Sequence, residues 1–169
     1  GGLPGVDDLS LSTNATQLAK HAKALREAGI ERLNISLDTL DPAKYKKICR
    51  QGSLEEALAG IRAAREAGFS PIKLNVVLLG GFNGDEIPAF VDFARREGLS
   101  VRFIELMPMG CAVGASYLSC DAVLAALPDL APVPGHSSVA EEYRIPGDSV
   151  SVGLIRSLSC KFCDNCNKI

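Results

Sequence analysis

The 169-residue sequence has no apolar run approaching the ~20 residues that a membrane-spanning helix needs. Its opening, GGLPGVDDLSLSTN, lacks both the basic start and the apolar stretch of a secretory signal. An excess of either charge sign is missing as well: the formal net charge is -2, so no nucleic-acid footprint is expected. No GxGxxG or GK[ST] phosphate loop occurs, and Gly80-Gly81-Phe82-Asn83-Gly84 reads as a turn. Histidine is scarce. His21 lies beside the apolar stripe of a helix, His136 falls in a loop, and the two make no metal constellation. The chain opens on Gly1 rather than Met, which suggests a piece of a longer protein. These absences argue against membrane, secreted and nucleic-acid-binding classes. Six cysteines without a secretion signal point to a reducing compartment, the cytoplasm, and to metal or catalytic use rather than a disulfide frame.

What is present is a repeated helix-to-strand unit. Helical segments end in Arg26-Glu27-Ala28-Gly29-Ile30, Arg65-Glu66-Ala67-Gly68-Phe69 and Arg96-Glu97-Gly98-Leu99. Each glycine suits the left-handed position just past a helix end. Strand-like runs follow: ERLNISLD, PIKLNVVLLG and SVRFIELM, with DDLSLSTN before the first helix. Ser53-Leu54-Glu55-Glu56 is a capping box, and Asp41-Pro42 opens a shorter helix. Residues 7–107 therefore read βα-βα-βα-β, an α/β pattern with a parallel sheet. Residues 108–169 break the rhythm, with a short helix near Cys120–Leu127, two β runs (AEEYRI and VSVGLI) and a loop at PVPGHSS. They read as an extension packed on the first region.

The strands carry an anomaly. A parallel strand covered on both faces is apolar throughout. Here Leu33, Ile35 and Leu37 alternate with Asn34, Ser36 and Asp38, and Ile72, Leu74 and Val76 alternate with Lys73 and Asn75. In the first strand Leu9 and Leu11 alternate with Ser10, Ser12 and Asn14. In the fourth, Arg102 and Glu105 fall on opposite faces. Each polar group buried without a partner costs about 1–3 kcal/mol. Satisfied internal hydrogen bonds explain one or two such residues; a lumen holding water and ligands explains a polar face on strand after strand. The architecture expected is an open or partial α/β barrel with its site at the C-terminal strand ends, which carry Ser12-Thr13-Asn14, Ser36-Leu37-Asp38 and Glu105-Leu106-Met107.

Individual groups remain open on this reading. Lys73 either pairs with Asp38 or Glu105, or holds an anionic ligand, or forms a Schiff base. Met107 is a core residue by default, and Cys49, Cys111 and Cys120 are inert fillers. The terminal CKFCDNCNKI is different. Cys160, Cys163 and Cys166 form C-x2-C-x2-C, a spacing that suits zinc or an iron–sulfur cluster without choosing between them. A closed site needs one ligand more.

Taken together, LSLSTNAT, RLNISLDTLDPAKYKKI, PIKLNVVLLGGFNGDE, VRFIELMPMG and FCDNCNK resemble the MoaA-type molybdenum-cofactor biosynthesis enzymes, the radical S-adenosylmethionine (SAM) GTP 3′,8-cyclases. The resemblance runs along essentially the whole chain. It implies a partial TIM-like βα barrel over residues 1–107 and the start of a C-terminal iron–sulfur and GTP-binding extension over 108–169. It implies two 4Fe–4S clusters, one cleaving SAM to a 5′-deoxyadenosyl radical and one holding GTP. The product would be 3′,8-cyclo-7,8-dihydro-GTP, which a downstream cyclic pyranopterin phosphate synthase would take. By position, Ser36 and Met107 match SAM-contacting residues, Ser12 and Lys73 match GTP-contacting ones, and Cys163 and Cys166 match cluster ligands. Lys168 stands where the family places GTP-contacting arginines; Cys160 matches no ligand. The third cluster ligand of the family is expected beyond Ile169, and the intact family member is expected to be a homodimer.

There are departures. The radical-SAM C-x3-C-x2-C motif and the family's Gly-Glu-Pro segment are absent from these residues, and its TTNG is Ser12-Thr13-Asn14-Ala15 here. The chain by itself is therefore expected not to cleave SAM or cyclise GTP. Two alternatives from other classes are a lysine aldolase working through Lys73 and a non-catalytic zinc-binding interaction module.

Overall fold

The structure, a computed structural model, describes residues 9–49, 51–108, 116–134 and 139–159. The described elements are β1 (Ser10–Thr13), α1 (Leu18–Glu27), β2 (Arg32–Ser36), α2 (Pro42–Ile48), α3 (Leu54–Glu66), β3 (Ile72–Leu78), a 3-10 turn (Gly84–Glu86), α4 (Ile87–Glu97), β4 (Ser100–Glu105), α5 (Asp121–Ala126), β5 (Ala131–Pro132), β6 (Glu141–Arg144) and β7 (Ser151–Ile155). The strands make one mixed sheet in the order β1-β2-β3-β4-β7-β6-β5. The chain divides into two compact units, Gly1–Leu74 and Asn75–Ile169, the boundary falling inside β3.

In the first unit, β1 and β2 pair in parallel, Leu11 opposite Leu33 and Thr13 opposite Ile35. The helices start where local chemistry dictates. Ser53 Oγ accepts from the Glu56 N–H at 3.2 Å while the Glu56 carboxylate accepts from the Ser53 N–H at 3.0 Å, completing the capping box at α3. Asp41 accepts from the N–H groups of Ala43 and Lys44 at 2.7 and 2.9 Å, opening α2. Gly29 and Gly68 take positive φ values just past α1 and α3, as the repeated Arg-Glu-Ala-Gly pattern requires. Leu18, Ala22, Leu33, Ile35, Ala57, Ile61 and Ala64 form the buried core here.

In the second unit, α4 lies on β4, with Phe90 meeting Phe103 edge to face at a centroid distance of 6.3 Å. β7 runs parallel to β4, from Val101 opposite Val152 to Ile104 opposite Ile155. β6 then pairs antiparallel with β7, and β5 with β6. The β runs expected in residues 108–169 thus extend the sheet itself. Gly153 stands opposite Arg102, and a Cβ there would lie 2.9 Å from Arg102 Cγ. The glycine makes room for the aliphatic stem of the arginine.

Candidate functional site

The alternation read from the strands is physical. Along β2, Leu33 and Ile35 are buried while Arg32 and Asn34 are half-buried and Ser36 is exposed. Along β3, Ile72, Leu74, Val76 and Leu78 are buried, and Lys73, Asn75 and Val77 are half-buried. In β1, Ser10 and Ser12 are exposed. In the first unit one side of these strands is buried at Leu33, Ile35, Ile72 and Leu74, and the other carries Ser12, Asn34, Ser36 and Lys73; Asn75 continues the alternation of β3. The Asn75 Oδ1 atom is buried and accepts no hydrogen bond among the described residues. An orphaned buried acceptor is rare in folded proteins and marks a place that a donor from outside can fill.

The strand ends differ in how they are held. After β1 the chain turns through Ala15, fully buried at φ 65°, a left-handed conformation that suits glycine. Thr13 Oγ1 accepts from the Ala15 N–H at 3.1 Å, and Asn14 Oδ1 accepts from the Thr16 hydroxyl at 2.9 Å. The Ala15 carbonyl presses on α3 at Gly60, where a Cβ would stand only 2.0 Å from that oxygen. These side chains tie down the backbone of the turn and leave Ser12 exposed.

At the end of β4, Glu105 points the other way. It shares the buried side of the strand with Val101 and Phe103, and it is 1% exposed. Its Oε1 accepts from the Cys120 N–H at 3.1 Å and the Ser159 hydroxyl at 2.6 Å. Its Oε2 accepts from the N–H groups of Leu158 and Ser159 at 3.0 and 2.9 Å. Burial alone raises the pKa of this carboxyl; the Ser159 hydroxyl and the three N–H groups outweigh burial and hold it at about 2, from an ordinary 4.5. Glu105 is ionised and fully occupied. The expectation that it stands among the ligand-facing groups at the strand ends is corrected: four donors draw its carboxylate to the covered side. Beside it, burial and then the charge of Glu105 push the Cys120 thiol up to about 12. Cys120 is inert as a nucleophile, as expected of a filler, although its N–H joins the Glu105 cluster.

The structure places four of the expected site residues. Ser12 and Ser36 are exposed and Lys73 half-buried on the polar strand face, and Met107 is 46% exposed just beyond β4. Cys163, Cys166 and Lys168, with Cys160, lie outside the described residues. Among the described residues, no group of three or more His, Cys, Asp or Glu side chains is placed to hold a metal ion. Nor is any described helix long and apolar enough to cross a membrane. The signal for the left-handed turn at Ala15 was the departure at that position, alanine where the resembled family has the glycine of TTNG, together with the small Gly60 buried on α3.

Comparison with known proteins decides the family. Residues 3–94 match the model described as Radical SAM superfamily. The chain belongs to the radical SAM superfamily. Residues 99–169 of this radical SAM chain match the model described as Molybdenum Cofactor Synthesis C. A GTP 3′,8-cyclase of Peptoclostridium acidaminophilum is 47% identical over 171 residues, covering 98% of this chain and 53% of that protein. One of Alkaliphilus metalliredigens is 43% identical over 171 residues, covering 99% and 53%. One of Listeria monocytogenes is 43% identical over 179 residues, covering 100% and 54%. The chain spans about half the length of the curated relatives it matches. These matches give no support to the aldolase or the zinc module.

Proposed function

We propose that this chain is the portion of a GTP 3′,8-cyclase that supplies part of the substrate and cofactor surface for molybdenum cofactor biosynthesis. The observation that carries the reading is the polar strand face of Ser12, Asn34, Ser36 and Lys73 in the first unit. Its donor set fits a phosphate-bearing substrate: Lys73 is a point charge for phosphate, and Ser12 adds a hydroxyl. Ser36 and Met107, both exposed, are assigned to SAM. Cys163 and Cys166 are assigned to a 4Fe–4S cluster, as thiolates at a spacing that suits one, and Lys168 to GTP. When bound, SAM and the clusters supply radical chemistry; the residues of this chain bind and orient the nucleotide beside them.

On this proposal residues 1–107 are strands and helices of an incomplete TIM-like barrel, and 108–169 begin the C-terminal extension. The whole enzyme works as a cytoplasmic homodimer and hands its product to a cyclic pyranopterin phosphate synthase. The chain alone lacks the C-x3-C-x2-C motif within its residues, so it is inactive by itself.

A chimaera tests the reading. The 171 residues of the Peptoclostridium acidaminophilum cyclase that align with this chain are replaced by it, and the protein is reconstituted anaerobically with iron and sulfide. Conversion of GTP to the cyclised nucleotide, abolished by Lys73→Ala, is the expected result. A chimaera that carries its clusters and cleaves SAM, yet never consumes GTP, contradicts it.

A further inference from the structure

The identity of Gly153 is not explained by the strand that contains it. We propose that Gly153 is a positioning residue: having no side chain, it lets the stem of Arg102 lie against β7 and so holds the guanidinium on the open side of β4, ready for an anionic group of the ligand. That a nucleotide or cofactor supplies the anion rests on the function proposed above.

A glycine inside a strand weakens it, because it packs nothing and loses the most freedom on folding. Such a glycine serves a positive φ, a bulge, or the close approach of another group. The first two reasons fail here. Gly153 is not among the glycines with positive φ. The register of β7 is unbroken on both sides, with Gly153 opposite Arg102 in β4 and opposite Glu142 in β6. The third reason holds. Gly153 is buried, and a Cβ there would lie 2.9 Å from Arg102 Cγ, 3.7 Å from Ala140 Cβ and 3.7 Å from Glu142 Oε1. Real Cβ atoms essentially never come closer than 3.0 Å to another group. The arginine stem therefore takes the space that a side chain at 153 would need.

The head of that stem makes this more than packing. Val101, Phe103 and Glu105 are the buried side of β4, and Arg102, half-buried, alternates with them. Arginine offers five N–H donors and no acceptor, and no hydrogen bond or ion pair to the described residues uses any of them. Glu142 stands in the same cross-strand row, on the far side of the gap, yet it is not paired with Arg102. Its Oε2 accepts from the Ser151 hydroxyl at 2.6 Å instead. The row Arg102, Gly153, Glu142 thus keeps an uncommitted cation at one end. An arginine that merely reached for water would need no glycine under its stem. A guanidinium fork suits phosphate and carboxylate alike, so the ligand group is an oxyanion: a phosphate of GTP or the carboxylate of SAM.

A double-mutant cycle tests this, with Gly153→Ala, Arg102→Ala and both together in the cluster-loaded chimaera. Equilibrium dialysis measures GTP and SAM separately, and melting temperature is taken on the same samples. Arg102→Ala removes the Cγ that the new methyl would strike, so the double variant relieves its own clash. Arg102→Ala is expected to weaken one of the two ligands about tenfold. Gly153→Ala is expected to weaken the same ligand about threefold and to leave the other ligand and the melting temperature unchanged. In the Arg102→Ala background it is expected to cost no further affinity, because the group it acts through is gone. Loss of GTP names a phosphate as the anion; loss of SAM names the carboxylate. Wild-type affinity for both ligands in either single variant overturns the proposal. An equal loss with and without Arg102 overturns it, because the methyl then obstructs the ligand directly. A loss of both ligands with a fall in melting temperature overturns it as well, because Gly153 then serves only the sheet. The side-chain Nε–H resonance of Arg102 in the chain itself, identified by its absence in Arg102→Lys, reads the geometry without ligand and is expected to move in G153A. A wild-type chimaera that binds neither GTP nor SAM overturns the function proposed above and the ligand role of Gly153 with it; an unmoved Arg102 resonance overturns the positioning claim alone.

Discussion

The ends of β1 and β4 solve opposite problems with polar residues. At the end of β1, Thr13 and Asn14 hold a strained turn at Ala15, and Ser12 is left exposed. At the end of β4, the polar residue turns inward: Glu105 accepts from four donors. The difference teaches that a polar residue at a strand end is not by itself a ligand contact. Which side of the pleat it occupies decides its task. Asn75 keeps unfilled hydrogen-bonding capacity at its Oδ1 atom. A residue on the covered side must be satisfied by the protein, and it then organises what it touches.

The comparison breaks most easily at Glu105. Glu105→Ala removes the acceptor from three N–H groups and a hydroxyl at once. At about 1–3 kcal/mol for each unsatisfied group, partly relieved by water, a loss of about 3 kcal/mol or more is expected in urea unfolding. Next comes Gly60→Ala on the other side of the comparison. The added methyl would stand 2.0 Å from the Ala15 carbonyl, so α3 must move. Overpacking costs about 1–3 kcal/mol against a helix-propensity gain of about 1, and a net loss of up to about 2 kcal/mol is expected. Ala15→Gly acts in the opposite direction. Releasing an L side chain from φ 65° is expected to stabilise by up to about 1 kcal/mol in the same assay.

Acid sharpens the contrast further. The folded pKa of Glu105 is about 2, below its ordinary 4.5, so the unfolded chain binds more protons between those values. Stability contributed by Glu105 is complete above about pH 4.5 and drains away as pH falls toward 2. Thermal melts across that window are expected to fall less steeply for Glu105→Gln than for wild type. The smallest effect belongs to Ser12→Ala. An exposed hydroxyl on the open face contributes little, and its change is expected within ±0.5 kcal/mol.

Much of this was readable in the sequence because it is local. The capping box at Ser53, the Asp41-Pro42 start of α2 and the glycines after α1, α3 and α4 depend on contacts a few residues apart, and the structure has them all. The period-two alternation at Asn34, Ser36, Lys73 and Asn75 is local too, and it survives as a burial pattern. What the sequence did not reveal depends on distant partners. β7 lies beside β4 because of pairing across about fifty residues, which no window of the sequence records. The inward turn of Glu105 needs Cys120, Leu158 and Ser159, and no spacing rule links them to it. The two-residue β5 is too short to show any period. Ala15 adopts a conformation that its residue type argues against, because Gly60 and the Thr13 hydroxyl impose it.

The central claim is that the open strand face is kept for ligand while the covered face holds the fold. Lys73 is its most direct probe. The measurement is GTP affinity by equilibrium dialysis on the cluster-loaded chimaera, for Lys73→Ala against wild type, with melting temperature taken on the same samples. The account predicts at least a tenfold loss of affinity and an unchanged melting temperature. Unchanged affinity, or a fall in melting temperature like that expected of Glu105→Ala, would place Lys73 among the residues that hold the fold and contradict the division of labour between the two faces.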